Sequence, residues 1–376
     1  MLNESFKMKK VCLLFGGKSI ESEISCLTAF KTKEEFDIQG WDYIMVFLNK
    51  NGEFFKVDKS LSIDDFDMKK GLKKGEFKKG KESYFQYNHF IKEEFDIVLI
   101  LGHGKGIEDG QVGAFFDTLQ IPCIYSGIYS SSLIQDKDLA KMYFKKNKIP
   151  TLDWIKINKH DYYKKSFIIE QKIEKMGYPL ICKPSSLGSS IGINIIRSNL
   201  DIKEALSDSF LYDNSLIIEP FIEKRKEINI ALAGYQNEIN FSSFEILTFD
   251  KGVYSFEQKY EQNKKEYKEV KEYIEESLEE LIKKSSKKIF VDLSLCGVCR
   301  FDFIFDEEKK KIYLNEINIV PGSLAYNLFL DKGIEFSKLL EIIIRSGLRR
   351  NVQEHRIICS TNKLNLKKLS IFGLNK

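Results

Sequence analysis

The chain has 376 residues and no run of eighteen uncharged apolar ones, so no transmembrane helix is expected. Its first stretch, MLNESFKMKKVCLLF, lacks the length and the small-residue cleavage site of a secretory signal and runs into a glycine turn. It reads as a first strand. Neither sign of charge dominates: 59 basic against 55 acidic residues leave +4, which does not suggest a nucleic-acid binder. The one strongly basic stretch, KKGLKKGEFKKGK at 69–81, reads as an exposed loop, with a phosphate-backbone contact as the alternative. No second cysteine pair and no nearby histidine accompany Cys296-Gly-Val-Cys299, which argues against zinc. No thioredoxin-like context surrounds that motif, which argues against redox chemistry, so the two read as small core residues entering a strand. The odd set of 7 cysteines (Cys12, Cys26, Cys123, Cys182, Cys296, Cys299 and Cys359) sits mostly in apolar runs. That fits a reducing compartment, and a cytoplasmic location is expected.

What is present is ordinary globular composition, 43% apolar and 30% charged, which supports a sizeable core and excludes wholesale disorder. At about 100–200 residues per domain, the length fits two or three domains. The runs 10–15, 41–48, 54–57, 95–101 and 121–125 read as strands, with helices at 19–30 and 111–119 between them. FDIVLIL (95–101) is continuously apolar, as in a strand buried on both faces. This alternation predicts an α/β arrangement, a doubly wound parallel sheet, over about the first 125 residues. Further on, the pattern predicts one helix over 130–147 and strands at 179–183, 193–196, 216–220, 228–233 and 239–247. A charged amphipathic helix over 266–288, a hairpin over 298–319 and a closing helix over 331–348 follow. Residues 349–376 read as an appendage, and no internal repeat is present.

The hairpin carries the first chemistry. CRFDFIF (299–305) and KIYLNEIN (311–318) flank a polar stretch, and a three-residue loop centred on Lys309 pairs Asp302 with Glu316 and Arg300 with Asn318. Alternation then puts those four on one face and Phe301, Phe303, Phe305 and Ile317 on the other, the core face. Opposed side chains lie about 4.5–5.5 Å apart. Two bare carboxylates at that separation repel, and one pKa rises. A hard divalent cation removes the conflict, since Mg²⁺ takes oxygen ligands, one or two carboxylates and substrate phosphates. The alternative is a solvated face on which Arg300 neutralises the acids.

KPSSLGSSIG (183–192) joins two apolar strands. Its glycines allow close backbone approach and its amides and hydroxyls suit phosphate oxygens, with a plain hairpin turn as the alternative. Gly17-Lys18-Ser19 ends like a Walker A loop, but Cys12 stands where the first glycine is required, which disfavours a P-loop NTPase. HGKGIEDG (103–110) follows the buried strand, and loops beyond the carboxyl ends of parallel strands are where open α/β sheets bind ligands. Glu21 follows the first glycine turn in the same layer; its other reading is an acid on a helix dipole. The other reading of His103 is a structural histidine.

Taken in order over about residues 9–348, these elements resemble the D-alanine–D-alanine ligases of the ATP-grasp superfamily. LLFGGKSIESEIS, LGHGKGIEDGQVGAFFD, DKDLAK, KPSSLGSSIG, IIEPFI, EQKY, CRFDF and NEINIVPGS each have a counterpart there. The resemblance implies a Rossmann-like pre-ATP-grasp domain (1–127), a central ATP-grasp subdomain (128–218), a C-terminal one of α+β type (219–348) and an extension (349–376). It implies that Lys137 and Lys183 hold ATP phosphates. Glu219, Pro220, Phe221 and Ile222 would line the adenine pocket and Glu227 would hold the ribose hydroxyls. Lys259 and Tyr260 would sit on a loop, 252–263, that closes over the site. Asp302, Glu316 and Asn318 would bind two Mg²⁺ ions, with Mn²⁺ as an alternative. Glu21 would anchor the first substrate's ammonium in a network with Ser189 and Tyr260, and His103 would lie near that substrate. Arg300 and the Gly322 amide would stabilise an oxyanion. Ser323 and Asn327 stand in the segment that holds the acceptor.

The implied reaction is ATP-dependent joining of two D-alanines for peptidoglycan precursor synthesis. ATP phosphorylates one carboxylate, the second amine attacks the acyl phosphate, and phosphate leaves; this needs charge neutralisation, an oxyanion site and exclusion of water. Expected partners are small molecules, amino acids and ATP, with no nucleic acid and no membrane; a homodimer is left open. Three segments depart from the family pattern: Ser186-Leu187 where charged residues are usual, Ser323–Asn327 in place of a Thr-Ser-x-Ser stretch, and Lys/Glu-rich sequence after the closing loop. Tyr260 is the type associated with an amine rather than a hydroxyl acceptor. Two rivals follow: a related ligase with another acceptor amino or hydroxy acid, and a non-catalytic nucleotide-binding regulator. The complete set Lys137, Lys183, Asp302, Glu316 and Asn318 argues against the second.

Overall fold

The computed structural model describes residues 8–68, 71–88, 90–249, 267–269 and 274–355. Three sheets follow one another among them. The first holds β1 (Val11–Gly16), β2 (Tyr43–Leu48), β3 (Phe54–Val57), β4 (Lys73–Lys79), β5 (Ser83–Tyr87), β6 (Ile91–Phe95), β7 (Ile97–Ile100) and β8 (Cys123–Ile124), ordered β6-β5-β4-β3-β2-β1-β7-β8. The continuously apolar strands pair in parallel, β2-β1-β7-β8, as expected of strands buried on both faces. From β2 outward the pairing is antiparallel. The basic stretch is therefore not a loop, because β4 fills most of it; Lys69 and Lys70 lie outside the described residues. A strand so widely exposed reads as polar. Its one apolar anchor, Phe77, meets the rings of Phe85 and Phe116 at 4.9 and 4.8 Å. The Lys74 ammonium pairs with Glu53 on the neighbouring loop at 2.6 Å.

On this sheet lie α1 (Ser22–Gln39), which starts three residues after the expected point and runs to Gly40, and α2 (Gln111–Thr118). The single helix expected over 130–147 is two, α3 (Ile128–Gln135) and α4 (Lys137–Lys146). Asp136 between them is extended, and its carboxylate accepts from the Asp138 and Leu139 amides at 2.9 and 3.2 Å, an N-cap that starts a new helix.

The second sheet comprises β9 (Ile155–Asn158), β10 (Leu180–Pro184), β11 (Asn194–Ile196) and β12 (Ser215–Pro220), antiparallel in the order β11-β10-β12-β9. Leu180, Cys182, Leu216 and Ile218 pack with α6 (Ile202–Ser209), and α5 (Lys159–Glu174) adds Tyr162 and Ile173 to the same core. Alternation leaves Ile181 and Lys183 facing the other way, into a cleft. β9, α5 and α6 were not evident in the sequence pattern.

The third sheet is antiparallel: β13 (Arg225–Tyr235), β14 (Glu238–Phe249), β15 (Tyr267–Glu269), β16 (Cys296–Asp306) and β17 (Lys311–Asn318), ordered β15-β14-β13-β16-β17. The charged helix begins later than expected, as α7 (Glu276–Asp292), because 267–269 pair with β14. A short 3₁₀ turn (Gly322–Ala325), α8 (Tyr326–Leu330) and α9 (Phe336–His355) close the fold. The last helix runs past 348. Arg350, buried, reaches Glu354 at 2.6 Å and lies 4.3 Å over the Tyr125 ring, pinning the helix to the first sheet's layer. Residues 356–376 lie outside the described part.

All six described cysteines are free and buried, and Cys359 lies outside the described residues. Cys296 belongs to the core between the first and third sheets, Cys299 to the core under α7. The two thus serve opposite sides of β16, and burial pushes the Cys296 thiol up to about 12. Among the described residues no helix is long and apolar enough to cross a membrane.

Candidate active site

A cleft of about 400 Å³ opens where the three sheets meet. It is lined by Glu21, His103, Lys137, Lys183, Ser189, Pro220, Phe221, Ile222, Glu227, Arg300, Asp302, Glu316, Asn318, Gly322, Ser323 and Asn327. Of the candidates singled out in the sequence that fall among the described residues, Glu219 alone is not at its surface. Lys259, Tyr260 and the loop 252–263 lie outside the described residues.

The acidic wall comes from the β16–β17 hairpin. At its cleft end the register is the expected one, Arg300 opposite Asn318 and Asp302 opposite Glu316. At the turn end it is shifted by one: Asp306 faces Lys311, so the loop has four residues, not three. A bulge between Asp302 and Phe303 absorbs the difference. Asn315 is the extra residue, so Asn315 and Glu316, neighbours in sequence, both face the cleft. Phe301, Phe303 and Ile317 go to the core, with Phe305 packed at its edge. Arg300 grips Asp302 with a two-pronged fork, Nε and Nη2 each donating at 2.7 Å, and the Asn318 amide donates to the same carboxylate at 2.9 Å. Two carboxylates and an amide form an oxygen-donor set that suits a hard divalent cation. Among the described residues no group of three or more His, Cys, Asp or Glu side chains is arranged to hold a metal.

The opposite wall is cationic. Glu219 on β12 is fully buried beneath the cleft, between Lys183 at 2.7 Å and Lys141, which forms a shorter ion pair with its other oxygen. Burial alone would raise this carboxyl; Lys141 and Lys183 overcome it and hold the pKa at about 2. Lys183 also donates to the bulge residue, Asn315 Oδ1, at 2.9 Å, which ties the two walls together. Lys137, at the start of α4, donates to the Leu187 carbonyl of the glycine–serine loop and lies 3.6 Å from Glu316. That loop is itself held by Asp136, which accepts from Ser185 at 3.0 Å, and Asp213, which accepts from the Ser186 hydroxyl at 2.7 Å.

The third side belongs to the first layer. The Ser189 hydroxyl donates to Glu21 in a short hydrogen bond. Gly104 (φ +77°) must be glycine: a Cβ there would collide with the Ser19 hydroxyl and the Glu21 carboxylate. Glu108, which the sequence left unassigned, accepts from the Gly104 amide at 2.7 Å and the Val320 amide at 3.2 Å. Burial, and next the Glu21 charge, push its pKa well above the usual carboxylate range. His103 is buried, which lowers its pKa to about 4 and keeps the ring neutral. Its Nε2 lies 3.0 Å from Thr28 Oγ1, and that hydroxyl also accepts from the Ser323 amide at 3.2 Å. Ser323, Leu324 and Ala325 are all left-handed, with φ of 47°, 55° and 51°. Each non-glycine residue there costs about 1–2 kcal/mol. Leu324, almost wholly buried in the first core, helps to hold them. Thr28, Glu108, Lys141 and Asn315 were all missed in the sequence; only Lys141, four residues after Lys137 on one helix, left a signal.

A mixed sheet with parallel central strands, followed by two antiparallel α+β layers that close on a cleft of lysines and carboxylates, is the ATP-grasp architecture. The family described as D-ala D-ala ligase N-terminus matches residues 10–126, and D-ala D-ala ligase C-terminus matches residues 143–345. The D-alanine–D-alanine ligase of Thermosipho melanesiensis is 32% identical, over 96% of this chain and 99% of that one. The D-alanine–D-alanine ligase of Clostridium novyi is 30% identical, over 91% and 99%. Among solved structures, the D-alanine–D-alanine ligase from Helicobacter pylori superposes with a TM-score of 0.69 at 28% identity, covering 89% of this chain and 98% of that one. The Coxiella burnetii D-alanine–D-alanine ligase, at 21% identity and a TM-score of 0.77, covers 98% and 100% and shares the fold. The chain belongs to the D-alanine–D-alanine ligase family.

Proposed function

We propose that this protein joins two D-alanines into D-alanyl-D-alanine with conversion of ATP to ADP and phosphate, as a cytoplasmic step in making peptidoglycan precursors. The observation that supports it most is the pairing of a lysine wall with a carboxylate wall across one cleft, with Glu21 at the remaining side. Lys137 and Lys183 counter the charge of the ATP phosphates, Lys183 being aimed by Glu219 and Asn315. Pro220, Phe221 and Ile222 offer the apolar surface for adenine, and Glu227, 3.6 Å from Arg225, the acid for the ribose. Asp302, Glu316 and Asn318 would hold magnesium, which when bound neutralises phosphate oxygens through the transfer. Glu21, fixed by Ser189, receives the ammonium of the first D-alanine. The carboxylate of that D-alanine takes the γ-phosphoryl group as ADP leaves; the free amine of the second D-alanine attacks the acyl phosphate, gives up a proton and expels phosphate, while Arg300 with the Gly322 amide faces the developing oxyanion.

A second reading, a ligase with another acceptor, rests on the segment after Gly322. Leu324 and Ala325 are buried, so Ser323 and Asn327 are the residues of that stretch that line the cleft. One experiment separates the readings: phosphate release and product mass from purified protein given ATP, Mg²⁺ and D-alanine alone. Dipeptide formation is expected. Silence with D-alanine alone and turnover on adding D-serine or D-lactate would establish the second reading instead.

A further inference from the structure

Thr28 lies on α1, seven residues beyond Glu21, and is 1% exposed although it borders the cleft. Its hydroxyl is shared between two groups from different parts of the chain, the His103 ring and the Ser323 amide. The protons can be placed by elimination. The Ser323 N–H can only donate, so Thr28 Oγ1 accepts there. Among the described residues the buried Thr28 hydroxyl has no partner beyond these two, so its own proton has only the ring nitrogen to go to. Nε2 is therefore the acceptor, and the single N–H of the neutral ring sits on Nδ1.

We propose that Thr28 is the positioning residue of the amino-acid end of the cleft, its hydroxyl fixing the ring tautomer of His103 and the left-handed turn at Ser323 together. Ser323 opens the three left-handed residues, and beyond them Asn327 returns to the cleft wall. A turn in that conformation persists where its surroundings over-determine it. Thr28 supplies a hydrogen bond at its first residue, and the Leu324 amide donates to the Pro321 carbonyl at 2.8 Å inside it. The lysines assigned to phosphate come from α4 and β10, and neither hydrogen bond of the Thr28 hydroxyl goes to those elements. Loss of its hydroxyl therefore disturbs recognition of the amino acid and leaves the nucleotide end alone.

The inference rests on the ligase reading above, and its test separates the two. Thr28→Val keeps the shape and removes the hydroxyl. It should raise the KM for D-alanine about tenfold to a hundredfold, the effect of two lost hydrogen bonds, with the KM for ATP unchanged within about twofold. Thr28→Ser should restore the D-alanine KM. An unchanged D-alanine KM in Thr28→Val, or an equal rise for ATP, overturns the inference. Nitrogen-15 NMR of histidine-labelled wild-type protein needs no variant: His103 should appear as the neutral Nδ1–H tautomer, and an Nε2–H tautomer at neutral pH refutes the arrangement. Wild-type protein that does not ligate D-alanine would sink the ligase reading while leaving the tautomer result to decide this one.

Discussion

The two walls of the cleft carry the same kinds of group in opposite proportion. Around β10 and β12 two ammoniums, Lys141 from α4 and Lys183 from β10, enclose one carboxylate that solvent does not reach; on β16 and β17 one guanidinium, forked onto Asp302, stands among two carboxylates at the cleft surface. The first cluster pairs its carboxylate on both sides, so its surplus positive charge is built into the fold and reaches the cleft through Lys183. The second keeps a surplus of negative oxygen turned outward. Burial decides which cluster carries more of the stability, because uncompensated charge costs far more where water is absent.

The comparison breaks most visibly at Glu219. Glu219→Gln leaves two buried ammoniums against a neutral amide and should cost about 3–5 kcal/mol in urea unfolding; an unchanged midpoint would contradict the account. The wild-type carboxyl sits at about 2 when folded, below its ordinary value of 4.5. A depressed acid contributes stability above its unfolded pKa and loses it as pH falls. Melting curves should therefore show up to about 3 kcal/mol lost between pH 4.5 and 2, absent from Glu219→Gln. Next comes Asp302→Asn, expected to lower kcat about a thousandfold with a smaller stability loss than Glu219→Gln; several kcal/mol of charge stabilisation is at stake. Wild-type turnover in that variant would refute the role given to the acidic wall. Asn315→Ala removes the amide that receives Lys183 and should raise the KM for ATP about tenfold, sparing that for D-alanine. The smallest effect is at the hairpin tip. Lys310 has φ of 52°, and Lys310→Gly should stabilise by about 0.5–1 kcal/mol with activity unchanged, read from thermal unfolding.

The acidic wall was legible in the sequence because alternation in a strand is rigid: once the phenylalanines of CRFDFIF are sent inward, Asp302 and Arg300 have one place to go. The bulge was not legible, since an asparagine in a strand announces nothing, and the loop length came out one residue short. The helix break was readable in principle, Asp136 being a strong N-cap type, but the apolar spacing on either side runs through it. β4 was hidden because its lysines find partners across the sheet rather than an apolar face. Thr28 and Glu108 act through partners 295 and 212 residues away, and no local pattern encodes such distances.

The extra residue at 315 divides the ribbon into two mechanically separate stretches. Ahead of it, toward the tip, strands run in one phase; behind it, at the cleft end, in the other. A hairpin tip that gains or loses a residue in evolution can thus be accommodated at this joint, while Asp302, Glu316 and Asn318 keep their stations in the cleft.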